Sequence, residues 1–139
     1  MTPLRLLVAD DDKSIRGLVC TLLGAKDGWQ VCGEATNGKE AVEKVRELNP
    51  DVIILDLSMP VMNGFEAGAK IRRIAPSTKI VFFSVHDAPL RFGQFGADAF
   101  VPKLSAEQEL VPTIERVTGD VQKPASLPNR VSAPSPKLP

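Results

Sequence analysis

In the stretch Asp51-Val52-Ile53-Ile54-Leu55-Asp56-Leu57-Ser58-Met59-Pro60, four consecutive apolar residues run straight into a carboxylate. An unbroken Val/Ile/Leu run bounded by polar and turn residues is the mark of a parallel-sheet strand buried on both faces. Such a strand puts Asp56 at its carboxyl end, with Asn63-Gly64 beyond it to turn the chain. Ligands bind along that edge of open α/β sheets. An aspartate ending an apolar strand can also be a plain turn cap, and Asp56 taken alone fits that at least as well. The rest of the chain decides.

Upstream, Asn37-Gly38-Lys39-Glu40 reads as a helix start, a cap residue with Glu three positions on. Ala41, Val42, Val45 and Leu48 give this helix its apolar face, and Asn49-Pro50 stops it. Before it, Trp29 to Ala35 reads as a strand. Leu4 to Ala9 is another, broken only by Arg5 and followed at once by Asp10-Asp11-Asp12. Ile15, Leu18, Val19, Leu22 and Leu23 then recur at amphipathic-helix spacing. Downstream, a helix opens at Gly64 and runs through Ile74 to Ala75-Pro76. Lys79 to Phe83 is a strand closing on Ser84, and a poorly patterned fourth helix is expected between His86 and Phe95. Ala99 to Pro102 is a short strand ending at Lys103. Ser105-Ala106-Glu107-Gln108 is a capping-box signature for a last helix that fades by Gly119.

Strand and helix alternate five times, which predicts an α/β fold, a five-stranded parallel sheet with helices on both faces. All strand carboxyl ends then share one edge. Asp10 and Asp11, Asp56, Ser84 and Lys103 converge there. Three carboxylates in one place repel unless a cation intervenes. Oxygen ligands without His or Cys suit Mg²⁺. An Asp carboxylate beside that ion can act as a nucleophile and form an aspartyl-phosphate. Lys103 would add a fixed positive charge, and Ser84 a hydrogen bond to a phosphoryl oxygen. The bland alternatives are a helix cap for Asp10 to Asp12, a turn residue for Ser84 and an edge lysine for Lys103.

Composition sets bounds. The chain of 139 residues is one domain by length, and its formal net charge of zero gives no bulk attraction to nucleic acid or anionic membrane. Cys20 and Cys32 are too few for a disulfide framework and are expected to be reduced thiols. No apolar run approaches membrane-spanning length, so a soluble, cytoplasmic protein is expected.

The chain resembles the receiver domain of two-component response regulators. The residues carrying the likeness are Val8-Ala9-Asp10-Asp11 with Arg16; Asp56-Leu57-Ser58-Met59-Pro60 with Gly64; Ser84; Gly96-Ala97-Asp98-Ala99-Phe100; and Lys103. The resemblance implies a flavodoxin-like doubly wound sheet of strand order 2-1-3-4-5. It also implies a signalling switch rather than an enzyme acting on outside substrates. Asp56 matches the phosphoacceptor, Asp10 and Asp11 the Mg²⁺-binding pair, and Ser58 the residue whose backbone carbonyl completes the metal site. Ser84 matches the switch hydroxyl, Phe100 the switch aromatic and Lys103 the phosphate-contacting lysine. Ser58 and His86 match positions that tune dephosphorylation; His86 on its residue alone reads as an exposed loop side chain. The implied partners are a histidine kinase or phosphotransfer protein, and a downstream protein or a C-terminal output domain missing from this chain. Homodimerisation stays open, and no nucleic-acid or membrane contact by this chain is implied.

Three departures stand out. The segment 88–95 is about one turn short for a fourth helix and contains Pro89 and Gly93. Leu104 follows Lys103 where many receivers have proline, a form resembling receivers joined to helix-turn-helix output domains. Pro112 falls inside the last helix and should kink or delay it. The receiver is read as 1–118, and the Pro- and Ser-rich stretch 119–139 as a disordered tail or linker. Two other classes compete. One is a receiver-like interaction module that no longer uses phosphate. The other is a phosphatase of the haloacid-dehalogenase class, which places a second Asp two residues after its nucleophile; here that position is Ser58.

Overall fold

A computed structural model describes residues 2–86 and 92–119. The elements in order are β1 (Leu4–Ala9), α1 (Lys13–Gly24), β2 (Trp29–Ala35), α2 (Gly38–Leu48), β3 (Val52–Asp56), α3 (Gly64–Ile74), β4 (Lys79–Ser84), a 3₁₀ turn (Phe92–Phe95), β5 (Ala99–Pro102), a second 3₁₀ turn (Lys103–Ser105) and α4 (Ala106–Thr118). The five strands form one sheet in the order β2-β1-β3-β4-β5, with every pairing parallel. That is the expected doubly wound, flavodoxin-like arrangement.

Alternation along each strand divides the core into two layers. Leu7, Ile53, Leu55, Ile80 and Phe82 face α2 and α3, where Ala41, Val42, Val45, Ala67 and Ile71 meet them. Leu6, Val8, Ile54, Val81 and Phe83 face α1 and α4, where Val19, Leu23, Leu110 and Ile114 close the other side. All five residues of β3 are buried, as its unbroken apolar run requires. The β1–β2 register shifts between Leu6 and Leu7, so Leu6 pairs with Val31 and Leu7 with Gly33, leaving Cys32 as the extra residue. Cys20 and Cys32 are free and half-buried, and burial pushes both thiols up, away from the reactive thiolate.

Three expectations need correction. The described part of the fourth-helix segment, Phe92–Phe95, is a 3₁₀ turn and not an α-helix; residues 87–91 lie outside the described residues. Gly93 weakens a helix there, and Gly96 at φ +91° ends the turn. Contacts with α3 fix the turn's end. Phe95 packs edge-on to Phe65 with ring centroids 4.8 Å apart. Arg72 donates to the Gly96 carbonyl from Nε and Nη2, and Nη2 also reaches Asp98 Oδ2 at 2.6 Å.

Second, Ser105 makes no side-chain cap bond to α4. The preceding 3₁₀ turn brings the chain in already coiled, with Ser105 at φ −106°, ψ 17° rather than in the extended conformation a capping box needs. Third, Pro112 does not delay α4, which starts at Ala106 and runs through it to Thr118. Pro112 and Gln108 both lie on the exposed side, where water can take up the carbonyl that the proline leaves unbonded. The expected tail falls beyond the described residues after Gly119, the left-handed C-cap of α4.

Candidate functional site

Strand register assembles the site. Ala9 pairs with Leu55, so Asp10 and Asp56 leave the sheet side by side. Asp56 pairs with Phe83, one residue before Ser84, and Ser84 pairs with Pro102, one residue before Lys103. Asp10, Asp56 and Ser84 are each 3% exposed or less, so this edge holds buried polar groups under an open rim.

The three aspartates after β1 divide the work. Asp12 caps α1, its carboxylate accepting from the Ser14 and Ile15 amides at 2.9 and 3.1 Å. Asp10 accepts the Asp12 amide on Oδ1 at 2.9 Å and turns Oδ2 inward. Asp11 is exposed. The helix-cap explanation therefore accounts for Asp12 and leaves Asp10 and Asp11 without that role.

Lys103 Nζ lies 2.8 Å from Asp10 Oδ2 and 3.3 Å from Asp56 Oδ1, bridging the two buried carboxylates. The shorter contact is an ion pair, and Lys103 is the one partner found for the buried Asp10 Oδ2 among the described residues. The Asp56 carboxylate accepts the Ser58 amide at 3.2 Å. Burial, then the negative charge of Asp10, pushes the Asp56 carboxyl up to about 6, while Lys103 and the Ser58 amide pull the other way. Burial also works against the Lys103 charge, yet Asp10 and Asp56 outweigh it and hold its pKa above the ordinary lysine value.

One lysine does not balance three carboxylates. One oxygen from each of Asp10, Asp11 and Asp56 lies within 4.8 Å of the others. The donors are hard oxygens, the buried Asp10 carboxylate is met among the described residues by a single ammonium that it shares with Asp56, and Asp11 opens the cluster to solvent. This set fits a hard divalent cation that keeps part of its water shell, as Mg²⁺ does.

The other expected residues stand around this centre. Ser84 Oγ accepts the His86 amide at 3.2 Å, and the His86 side chain is exposed. Ser58 is exposed beside Asp56. Phe100 pairs with Phe82 and packs, half-buried, against the α2–α3 layer on the far side of β5 from Lys103 and Phe83.

Sequence reading missed two features of the loop after Asp56. Val61 holds φ +69°, a strained conformation for a β-branched residue, in a tight turn closed by the Met62 amide on the Pro60 carbonyl at 2.7 Å. Valine carries no turn signal, so nothing local marks it. Asn63 and Glu66 form a reciprocal capping box at the start of α3, a signature that was legible. Gly64 follows, and a Cβ there would stand 2.1 Å from the Asp56 carbonyl oxygen and 2.7 Å from Leu57 Cα. Both obstacles are backbone, so no rotamer relieves them. Gly64→Ala is therefore expected to lower unfolding free energy by about 2 kcal/mol in a urea titration. Stability within about 0.5 kcal/mol of the parent would show that α3 is free to back away from Asp56.

The family model for the response regulator receiver domain matches residues 6–115. The chain belongs to that family. Receivers of this family are the phosphoryl-accepting switches of two-component systems. This receiver is 38% identical over 117 residues to the response regulator GacA of Pseudomonas viridiflava, covering 82% of this chain and 55% of GacA. It is 45% identical over 80 residues to the chemotaxis protein CheY of Thermotoga maritima, covering 58% of this chain and 66% of CheY. A LuxR-family two-component response regulator from Aurantimonas superposes with a TM-score of 0.80 at 30% identity, over 86% of this chain and 87% of that one. The receiver thus spans little more than half the length of its GacA relative. No helix among the described residues is long and apolar enough to cross a membrane.

Proposed function

We propose that this receiver accepts a phosphoryl group on Asp56 and passes the event on as a change of shape. The observation carrying this reading is the Lys103 ammonium set between the buried Asp10 and Asp56 carboxylates, 2.8 and 3.3 Å away. Phosphoryl transfer asks mainly for positioning and charge neutralisation. Asp56 supplies the nucleophile. Its carboxylate oxygen bonds to phosphorus while the bond from phosphorus to the donor breaks, P–N for the phosphohistidine of a histidine kinase or phosphotransfer protein, P–O for acetyl phosphate.

Asp10, Asp11, Asp56 and the Ser58 carbonyl are the groups that would hold Mg²⁺, whose charge, when bound, offsets the carboxylates and the incoming phosphoryl oxygens. Lys103 is placed to exchange its Asp56 contact for a phosphoryl oxygen. Ser84 gives up the His86 amide and turns its hydroxyl to donate. Phe100 then follows into the space behind it, a local charge event biasing a bistable element. Ser58 and His86 flank the path of the water that hydrolyses the product. The receiver unit takes 1–118. The stretch 119–139 is read as a tail or a linker, and a downstream protein or an output module receives the signal.

The 3₁₀ turn in place of an α-helix at Phe92–Phe95 favours a second reading, a binding module that no longer uses phosphate. Intact mass after incubation with acetyl phosphate and Mg²⁺ separates the two. One added phosphoryl group, absent when EDTA is present, is the expected result. No adduct at any Mg²⁺ concentration would leave only the binding module.

A further inference from the structure

Asp10 and Asp11 are held differently. Asp10 is buried, its amide donates to the Ala35 carbonyl at 3.0 Å, and its carboxylate is tied to the Asp12 amide and Lys103. Asp11 is exposed, and no hydrogen bond or ion pair of its side chain is found among the described residues. No partner among the described residues orients its carboxylate, so what the protein controls is where the backbone places its Cα and Cβ. That backbone is gripped from α1. Arg16 Nη1 donates to the Asp10 carbonyl at 2.9 Å, and Arg16 Nε donates to Glu34 Oε1 at 2.8 Å. The Arg16 side chain is only 14% exposed, so the guanidinium is packed in place rather than waving from the surface.

The peptide joining Asp10 to Asp11 is planar, so a donor fixed on the Asp10 carbonyl also fixes the direction of the Asp11 amide and Cα. A guanidinium this close to a cation site would repel the cation. Glu34 offsets that charge from the far side, and its attachment to β2 ties the guanidinium to the sheet.

We infer that Arg16, held by Glu34, is a positioning residue that aims the Asp11 carboxylate at the cation site. The inference rests on Asp10, Asp11 and Asp56 being that site. It concerns binding geometry, since Arg16 touches neither the nucleophile nor the carboxylate it orients. Partners of this outer kind contribute about ten- to a hundredfold in metal affinity.

The test is the Mg²⁺ dissociation constant, by titration calorimetry, of the full chain and of Arg16→Ala, Glu34→Ala and the double variant, with Asp10→Asn as a control. Arg16→Ala is expected to weaken Mg²⁺ about tenfold. Its phosphoryl uptake from acetyl phosphate should return to the native rate at saturating Mg²⁺, which a general structural defect would not allow. Glu34→Ala, at a half-exposed position, should weaken Mg²⁺ about threefold in the native background and no further in Arg16→Ala, the sign of coupling. Affinity within about twofold of native in Arg16→Ala would overturn the inference and leave the cation site standing. If Arg16→Ala does not fold, unchanged affinity in Glu34→Ala overturns it instead. A native chain whose Mg²⁺ binding is absent, or indifferent to Asp10→Asn, removes the site and this inference together.

Discussion

Asp56→Asn takes up no phosphoryl group from acetyl phosphate under conditions in which the native chain gains one. The amide matches the carboxylate in shape and can still accept the Ser58 amide bond, so β3 and its loop stay as they are. What disappears is the nucleophilic oxygen, and no neighbouring carboxylate substitutes for it, because Asp10 is pinned to Lys103 and to the Asp12 amide. Intact mass reads the result directly. An adduct of equal yield on Asp56→Asn would place the acceptor elsewhere.

The same variant reports on the charge of the site. In the folded chain the Asp56 carboxyl is raised to about 6. Unfolded, it returns to about 3.9. The folded form thus binds more protons than the unfolded form between these values. The stability contributed by Asp56 is fully present below about pH 4 and is lost as pH rises through about 6. Asn has no proton to lose. Urea titrations in EDTA should show the advantage of Asp56→Asn over the native chain growing by about 1 kcal/mol between pH 5 and pH 7.5. Added Mg²⁺ should shrink it, since a bound cation favours the ionised carboxylate. A difference that stays flat with pH would mean that Asp56 titrates like an ordinary surface aspartate.

Lys103→Met is expected to have the second large effect. Met fills much of the volume of the lysine stem but removes the only cation among the described residues that contacts both Asp10 and Asp56. Without the lysine charge, burial and the Asp10 charge push the Asp56 carboxyl up further, so less of it is ionised and it loses nucleophilic character. The positive charge that would meet the phosphoryl oxygens is gone as well. Removing one such stabilising group lowers rates by about a hundredfold or more, and the acetyl phosphate reaction should slow by at least that. Breaking the buried pair should also cost about 3 kcal/mol at pH 8, and little at pH 5, where protons replace the lysine. Uptake within a few-fold of native would show that Lys103 is a structural counter-ion and nothing more.

Much of this was legible in the chain because it depends on local pattern. The apolar run Val52 to Leu55, the helical spacing of Ile15, Leu18, Val19, Leu22 and Leu23, and five alternations of strand and helix select a parallel sheet. A parallel sheet then forces Asp10, Asp56, Ser84 and Lys103 to one edge, whatever the details of packing. The weak pattern after His86 was legible as a departure too, although its described end proved to be a 3₁₀ turn.

What local pattern cannot carry is contact between distant segments. Ser105 looked like a cap, yet the chain enters α4 already turning, through the 3₁₀ turn that begins at Lys103, itself paired with Asp10 far away in sequence. Pro112 was expected to kink or delay the last helix; α4 starts on time at Ala106, and Pro112 sits on its solvent side. Gly64 is required by the approach of α3 to the Asp56 backbone, and Val61 holds its strained angle in the turn between them. Arg16 is part of the motif that carries the family resemblance, but its contacts appear only when β1 and β2 bring the Asp10 carbonyl and Glu34 to its guanidinium. The sequence by itself determined the sheet and the edge where the charges gather, because hydrophobic periodicity is written in neighbouring residues. The tertiary structure alone decided which carboxylates are buried and that Lys103 bridges Asp10 and Asp56, because those depend on register and helix docking across the whole chain.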